Sequence, residues 1–176
     1  MLAEAFTSLP EGVRLRNMAA ADLPFLSALY AGTRMDEVNQ VGWPQEQKTA
    51  FLEQQFQAQH QHYQQHFAGA EFLLIEQRTQ QGGQSQWQPI GRLYLDERSD
   101  EIRLIDIALM TGHRNQGLGT NVLQQLFAIA ASRDLAVRIH VEKNNPAYRL
   151  YQRLGFGMLE DKGVYDLLEW RDTRPT

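Results

Sequence analysis

The stretch IDIALMTGHRNQGLGT, Ile105 to Thr120, decides how the rest of the chain reads. An apolar run ends at Leu109, a short polar turn follows, and Gly117 and Gly119 stand two apart where a helical pattern opens at Leu118. The order is strand, turn, helix N-terminus. The first N–H groups of a helix have no intrahelical partner, the helix dipole places roughly half a positive charge there, and glycine admits a phosphate close to the backbone. The junction therefore predicts an anion site. Arg114 adds a fixed positive charge with forked donors, although a turn arginine in solvent fits the same position.

A glycine pair alone is a weak signal, since any strand-to-helix turn can carry one for conformational reasons. Here RNQGLG, Arg114 to Gly119, fits Q/R-x-x-G-x-G/A, and NNPAYRLYQRLGF, Asn144 to Phe156, follows with an Asn, an Ala, a Leu-Tyr pair and a closing Gly-Phe. In this order the two stretches resemble the signatures of the GNAT acetyltransferase superfamily. The match is strong from about Ile102 to Phe156 and only architectural before it. The resemblance implies an N-acetyltransferase that moves an acetyl group from acetyl-CoA to a primary amine of a small molecule or peptide, by direct attack in a ternary complex. It implies that N–H groups of Arg114, Asn115, Gln116, Gly117, Leu118 and Gly119 grip the CoA pyrophosphate, with Thr120 also in the cofactor site, and that main-chain groups of Ile107 and Leu109 pair with the pantetheine amides. Asn144 would bond the pantetheine or hold its loop. Tyr151 would touch the cofactor and protonate the departing thiolate. The family's fourth and fifth strands also splay apart to leave a slot for the pantetheine arm.

Each assignment has a plainer alternative. Tyr151, between Leu150 and Leu154, also fits as a core side chain. Asn144 or Asn145 also fits as a helix cap. A rival function is an acyl-CoA-binding regulatory module that keeps the cofactor grip without catalysis. A nucleotide-binding domain fits poorly, because GHRNQGLGT lacks the Gly-Lys-Ser/Thr ending of a P-loop and the first Gly of G-x-G-x-x-G.

An amine must lose its proton before it attacks a thioester, and the candidates for that task are Asp106, His140, Glu142, Glu101 and His113. Asp106 leads, as the one carboxylate inside the apolar part of the central strand, where an ionised group needs a polar cavity or a partner. By resemblance to polyamine acetyltransferases of the family, an acidic residue at this place helps to hold a cationic acceptor. A structural ion pair with Arg103 or Arg92 explains it equally well.

A length of 176 residues suits one domain, 1–176. With 21 acidic and 17 basic residues the formal charge is −4, which offers no general attraction to nucleic acid or anionic lipid and suits a cationic partner. The chain has no cysteine, so disulfides, thiolate metal sites and a cysteine acyl-enzyme are excluded. No apolar run approaches the ~20 residues that span a bilayer. MLAEAFTSLPEG lacks a basic n-region and a long apolar core, so the expectation is a cytoplasmic protein, with a homodimer left open.

The remaining pattern predicts an α+β fold, an α/β/α sandwich whose mixed, mostly antiparallel sheet of about seven strands carries helices on both faces, in the order βααβββαβαββ. Strands are expected at Val13–Asn17, Glu71–Gln77, Pro89–Leu95, Glu101–Leu109 and Ala136–Val141, with two more between Phe156 and Trp170 turning at Asp161-Lys162-Gly163. Leu23, Leu26, Leu29 and Tyr30 recur at helical spacing in the first helix, and Gly32 to Pro44 reads as a loop or broken helix. A long polar helix should run from Gln45 to His66. Its His62 and His66 have metal-ligand spacing but no acidic third ligand, so no metal site is expected. TQQGGQSQWQ reads as a flexible hairpin connection. A helix from Gly117 to about Arg133 turns Leu118, Val122, Leu126 and Ala130 to the sheet, and a short one spans Pro146 to Leu154.

Overall fold

The computed structural model describes residues 1–175. Its framework is a seven-stranded sheet in the order β1-β2-β3-β4-β5-β7-β6. The strands are β1 (Val13–Asn17), β2 (Glu71–Gln81), β3 (Gln84–Glu97), β4 (Glu101–Leu109), β5 (Ala136–Glu142), β6 (Gly157–Lys162) and β7 (Tyr165–Trp170). Neighbours pair antiparallel except β4 with β5, which are parallel and therefore need a crossover. Helix α4 (Leu118–Ser132) supplies it. The other helices are α1 (Leu2–Ala5), α2 (Leu23–Asn39), α3 (Gln45–His66) and α5 (Tyr148–Arg153). Apart from α1, this is the expected order.

Each face of the sheet has its own apolar layer. On one, Val122, Leu123, Leu126 and Ala130 of α4 bury against Leu93, Leu104, Val137 and Ile139, which the i, i+4 stripe foretold. On the other, α2 and α3 pack Leu26, Tyr30, Val38, Leu52 and Phe56 over Leu74.

Three local expectations are corrected. The segment from Gly32 is not a loop, because α2 continues to Asn39. Leu26, Tyr30 and Val38 extend one buried stripe along it, and that burial overrides the roughly 1 kcal/mol helix penalty of Gly32. TQQGGQSQWQ is not a loose connection either: pairing continues to Gln81↔Gln84, and Gly82 and Gly83, with φ of 60° and 79°, make the two-residue turn. Main-chain pairing there needs no apolar side chains. Finally, α1 was unforeseen, since four residues show no period. The Glu71 carboxylate accepts the Leu2 and Ala3 N–H groups at 2.8 and 3.2 Å and holds that turn to β2.

One irregularity positions the site. On β3, Leu95 faces Leu104 and Tyr94 faces Asp106, so Ile105 is an extra, unpaired residue in β4. A bulge shifts the two-residue alternation by one. Ile102 and Leu104 before it, and Ile107 and Leu109 after it, all point to the α4 side. Asp106 is thereby turned to the α2 and α3 side, where without the bulge it would enter the main core.

Candidate active site

Pairing of β4 with β5 stops after Glu101↔Ala136, Ile102↔Val137 and Arg103↔Arg138. Beyond it the strands part, as the resemblance implied, and open a cleft of about 980 Å3. Its walls are Ile105 to Leu109 and Ile139 to Glu142, with Gly117, Gly119 and Thr120 of the α4 terminus, Asn144 to Ala147, and Tyr30, Arg34, Gln59 and Tyr63 of α2 and α3. Because α4 covers one face of the sheet and α2 and α3 the other, the cleft passes through the sheet.

Along the β4 wall the backbone is unpaired on the cleft side. The Met110 N–H donates to Ile90 O at 2.8 Å, and antiparallel alternation then directs Ala108 to β3 and the N–H and C=O groups of Ile107 and Leu109 into the cleft. Leu109 O accepts Arg114 Nε–H at 2.9 Å, so the arginine ties the turn to the end of the strand. Gly91, opposite Leu109, permits this packing: a Cβ there would lie 2.5 Å from Ala108 O.

At the α4 end, Asn115 and Gly117 adopt φ of 60° and 83°. The first helical bond runs from Asn121 N–H to Gly117 O at 3.0 Å. Among the described residues, the N–H groups from Asn115 to Thr120 donate to no carbonyl or side chain. Arg114, Asn115, Gly117, Gly119 and Thr120 line the cleft, while Leu118 packs on the main core and the Gln116 side chain turns back to Gly112 O at 3.1 Å.

Tyr151 lines the cleft from α5 with its ring buried, 5% exposed, edge-on to Phe156. Burial first, and the Asp106 charge second, push its phenol well above the ordinary range, so it stays protonated. Asn144 borders the cleft, and it is Asn145 that serves the turn before α5, its Oδ1 accepting Ala147 N–H at 2.8 Å.

Asp106 lines the cleft and is also ion-paired: its Oδ2 accepts Arg92 Nε–H at 2.6 Å. Arg92 is 3% exposed, donates to Gln59 Oε1 at 2.9 Å and lies 4.8 Å over the Tyr94 ring. Burial works to lower its pKa, but Asp106, with Tyr94 and Tyr63, more than offsets this and the guanidinium stays charged. His140 and Glu142 line the opposite wall, and burial, then Arg103, hold His140 below the usual imidazole range. Glu101 stands apart at the base of β4 among Arg98, Arg103 and Arg138. His113 lies in the turn after β4, outside the lining. His62 and His66 stack at 4.1 Å on α3.

Tyr63, which the sequence offers with His60 as an edge of the acceptor pocket, lines the cleft, whereas Arg92, Gln59 and Arg34 have no site assignment in the sequence reading. Arg92 carried a readable signal, a charge in the apolar strand PIGRLYL like that of Asp106 in its own strand. The others sit on polar helix faces whose partners only the fold reveals.

The sequence model of the Acetyltransferase (GNAT) family matches residues 34–156, and the chain belongs to that family. No curated protein matches the sequence. The fold is shared with PaiA N-acetyltransferase of Thermoplasma acidophilum, solved with coenzyme A, at a TM-score of 0.63 and 14% identity over 91% of this chain and 99% of that one. A GNAT family acetyltransferase of Elizabethkingia anophelis with acetyl-CoA bound gives 0.56 and 14% over 92% and 99%. Spermidine N-acetyltransferase of Vibrio cholerae, with CoA and spermine, gives 0.56 and 17% over 91% and 94%. At these identities the likeness is one of fold. No described helix is long and apolar enough to cross a membrane.

Proposed function

We propose that the protein transfers an acetyl group from acetyl-CoA to a primary amine, by direct attack of the amine within a ternary complex. The observation that carries this reading is the through-sheet cleft, which has unbonded N–H groups of a helix start on one side, a free β4 edge along its length, and the Tyr151 phenol on its wall. The N–H groups from Asn115 to Thr120 suit a pyrophosphate, whereas that of Arg114 is turned to Thr111 O. The free groups of Ile107 and the free N–H of Leu109 suit the amides of a pantetheine arm, with Asn144 beside them. Relatives of the same fold hold CoA or acetyl-CoA.

On this reading Tyr151 gives its proton to the departing thiolate, a task that a phenol kept protonated by burial can perform. Asp106, with Oδ2 held by Arg92, offers its other oxygen to the ammonium form of the acceptor. The proton lost before attack leaves by that carboxylate or a cleft water. The test is calorimetric titration with acetyl-CoA, followed by a screen of primary amines for released CoA thiol. Thiol release that depends on the amine supports transfer. Tight binding with no transfer to any amine supports the regulatory module, and absence of acetyl-CoA binding overturns both.

A further inference from the structure

On the α2 side of the cleft two ion pairs differ in kind. Arg92 and Asp106 are joined at 2.6 Å with the arginine sealed from solvent. Arg34 of α2 instead reaches β5 by one long contact, Nη2 to Glu142 Oε1 at 3.3 Å, and touches Glu37 at 3.6 Å. Its side chain is 32% exposed and that of Glu142 23%. Two carboxylates thus share one guanidinium, which leaves one negative charge unmatched within this trio. The Tyr165 hydroxyl donates to the same Glu142 oxygen at 3.4 Å, while Glu142 Oε2 has no partner among the described residues. The Arg34 guanidinium lies 5.8 Å from the Tyr30 ring centre, so an aromatic face and two carboxylates together surround a cation.

Resting on the acetyl-transfer reading, we propose that this is a cation site of the acceptor that Arg34 occupies until a substrate arrives. The acceptor is then an amine with a second cationic group: the reacting nitrogen lies at Asp106, and the distant one takes the place of Arg34 on Glu142. The two carboxylates are on the same side of the sheet, since Val137, Ile139 and Val141 of β5 turn to the α4 core and Glu142 away from it. Glu101 pairs with Ala136, and the bulge at Ile105 absorbs one residue of β4. Glu142 therefore stands about two residues, ~7 Å, further along the strands than Asp106. The two nitrogens must be several bonds apart, so a short monoamine leaves Arg34 in place. A weak, partly solvated contact is one that an incoming ammonium can replace, whereas the buried Arg92 pair is not.

The test titrates CoA-saturated protein with α,ω-diaminopentane and with pentylamine by calorimetry. Wild type should bind the diamine about tenfold tighter, the scale of one hydrogen-bonded charge. Glu142→Gln should abolish that ratio, and Arg34→Gln should increase it by removing the competitor. If Glu142→Gln does not fold, Glu142→Asp, which draws the carboxylate back, should shrink the ratio in the same way. Equal affinities in wild type, or a preference that survives both Glu142 variants, overturn the inference. Because binding is read at equilibrium, it is separable from the reaction. A diamine preference that depends on Glu142, without thiol release from acetyl-CoA, keeps the cation site and sinks the transfer reading; acetylation of both amines with equal affinity does the reverse.

Discussion

Arg92 of β3 reaches diagonally across to Asp106 of β4 at 2.6 Å, the arginine wholly buried and the aspartate at the cleft surface. Arg92 belongs to the strand before the bulged one, and its side chain shares a face with Asp106 only because Ile105 shifts the alternation of β4. The pair gives the cleft floor a carboxylate with one oxygen fixed and one turned to solvent. Gln59 of α3 and the Tyr94 ring of β3 hold the guanidinium, so the aspartate is aimed by groups on two elements.

Tyr151→Phe should lower turnover by about two orders of magnitude, the lower end of the usual range for general acid catalysis, with acetyl-CoA affinity nearly intact. The ring still packs on Phe156, and only the proton donor is lost. Burial raises the phenol above its ordinary value of 10, so it remains an acid on the alkaline side. The wild-type turnover should accordingly show no decline from this group up to about pH 10. Steady-state rates across pH for both proteins check this, and equal turnover of the two would return Tyr151 to a packing role.

Gly117 and Gly119 should behave differently when each becomes alanine. Gly117 has φ of 83°, so an alanine there costs about 1 kcal/mol or more of stability. A Cβ at Gly119 would meet only Leu109 Cδ1 at 3.9 Å, and its backbone is helical, so Gly119→Ala should fold as well as wild type or better. Its methyl group nevertheless stands at the cleft end of α4. Melting temperature and calorimetry separate the effects: unchanged or raised stability with acetyl-CoA affinity reduced about tenfold is expected for Gly119→Ala, from loss of close backbone approach. Full affinity in that variant would remove the pyrophosphate from this turn.

What was legible in the sequence follows the physics of each signal. The Leu118, Val122, Leu126 and Ala130 stripe and the Gly117-Leu118-Gly119 junction depend on local spacing and were readable. The Ile105 bulge was not, because Ile105-Asp106-Ile107 satisfies either alternation and only pairing with Tyr94 and Leu95 selects one. The extension of α2 past Gly32 depends on burial of Val38 against α3, and the continuation of β2 and β3 up to the expected hairpin turn at Gly82-Gly83 on main-chain bonds. Arg34 and Glu142 lie 108 positions apart, and no sequence pattern links them.

The Arg16 to Asp22 pair predicts an acid-dependent stability. Asp22 accepts Arg16 Nη1 and Nη2 at 2.8 Å each and the Ala19 N–H at 2.8 Å. The Arg16 bonds, against the opposing effect of burial and aided by Ala19, hold the carboxyl below its ordinary 3.8. With the folded value below the unfolded one, the contribution is complete above about pH 4 and is lost as pH falls through the folded value. Asp22→Asn should be less stable than wild type by about 1–3 kcal/mol at pH 7. Urea unfolding at pH 7 and near pH 2 should show the gap closing, and a gap of constant size would assign it to packing.

Asp106→Asn alone mixes two effects, because it removes a charge from the cleft and leaves Arg92 buried without its partner. Breaking a buried pair from one side costs about 3–5 kcal/mol, less here because the Asp106 side chain is 26% exposed. Arg92→Met removes the other half. The double variant strands no charge, so it should recover most of the stability lost in Asp106→Asn, as replacement of buried pairs by apolar groups commonly does. Acceptor kinetics should not recover with it. If the free Asp106 oxygen attracts the ammonium, the double variant should keep an amine KM raised about tenfold or more, with acetyl-CoA affinity close to wild type. Thermal unfolding and amine kinetics on all four proteins complete the cycle. Recovery of both stability and amine KM in the double variant would confine Asp106 to holding the cleft floor, and His140 on the opposite wall would become the residue to test as the proton acceptor.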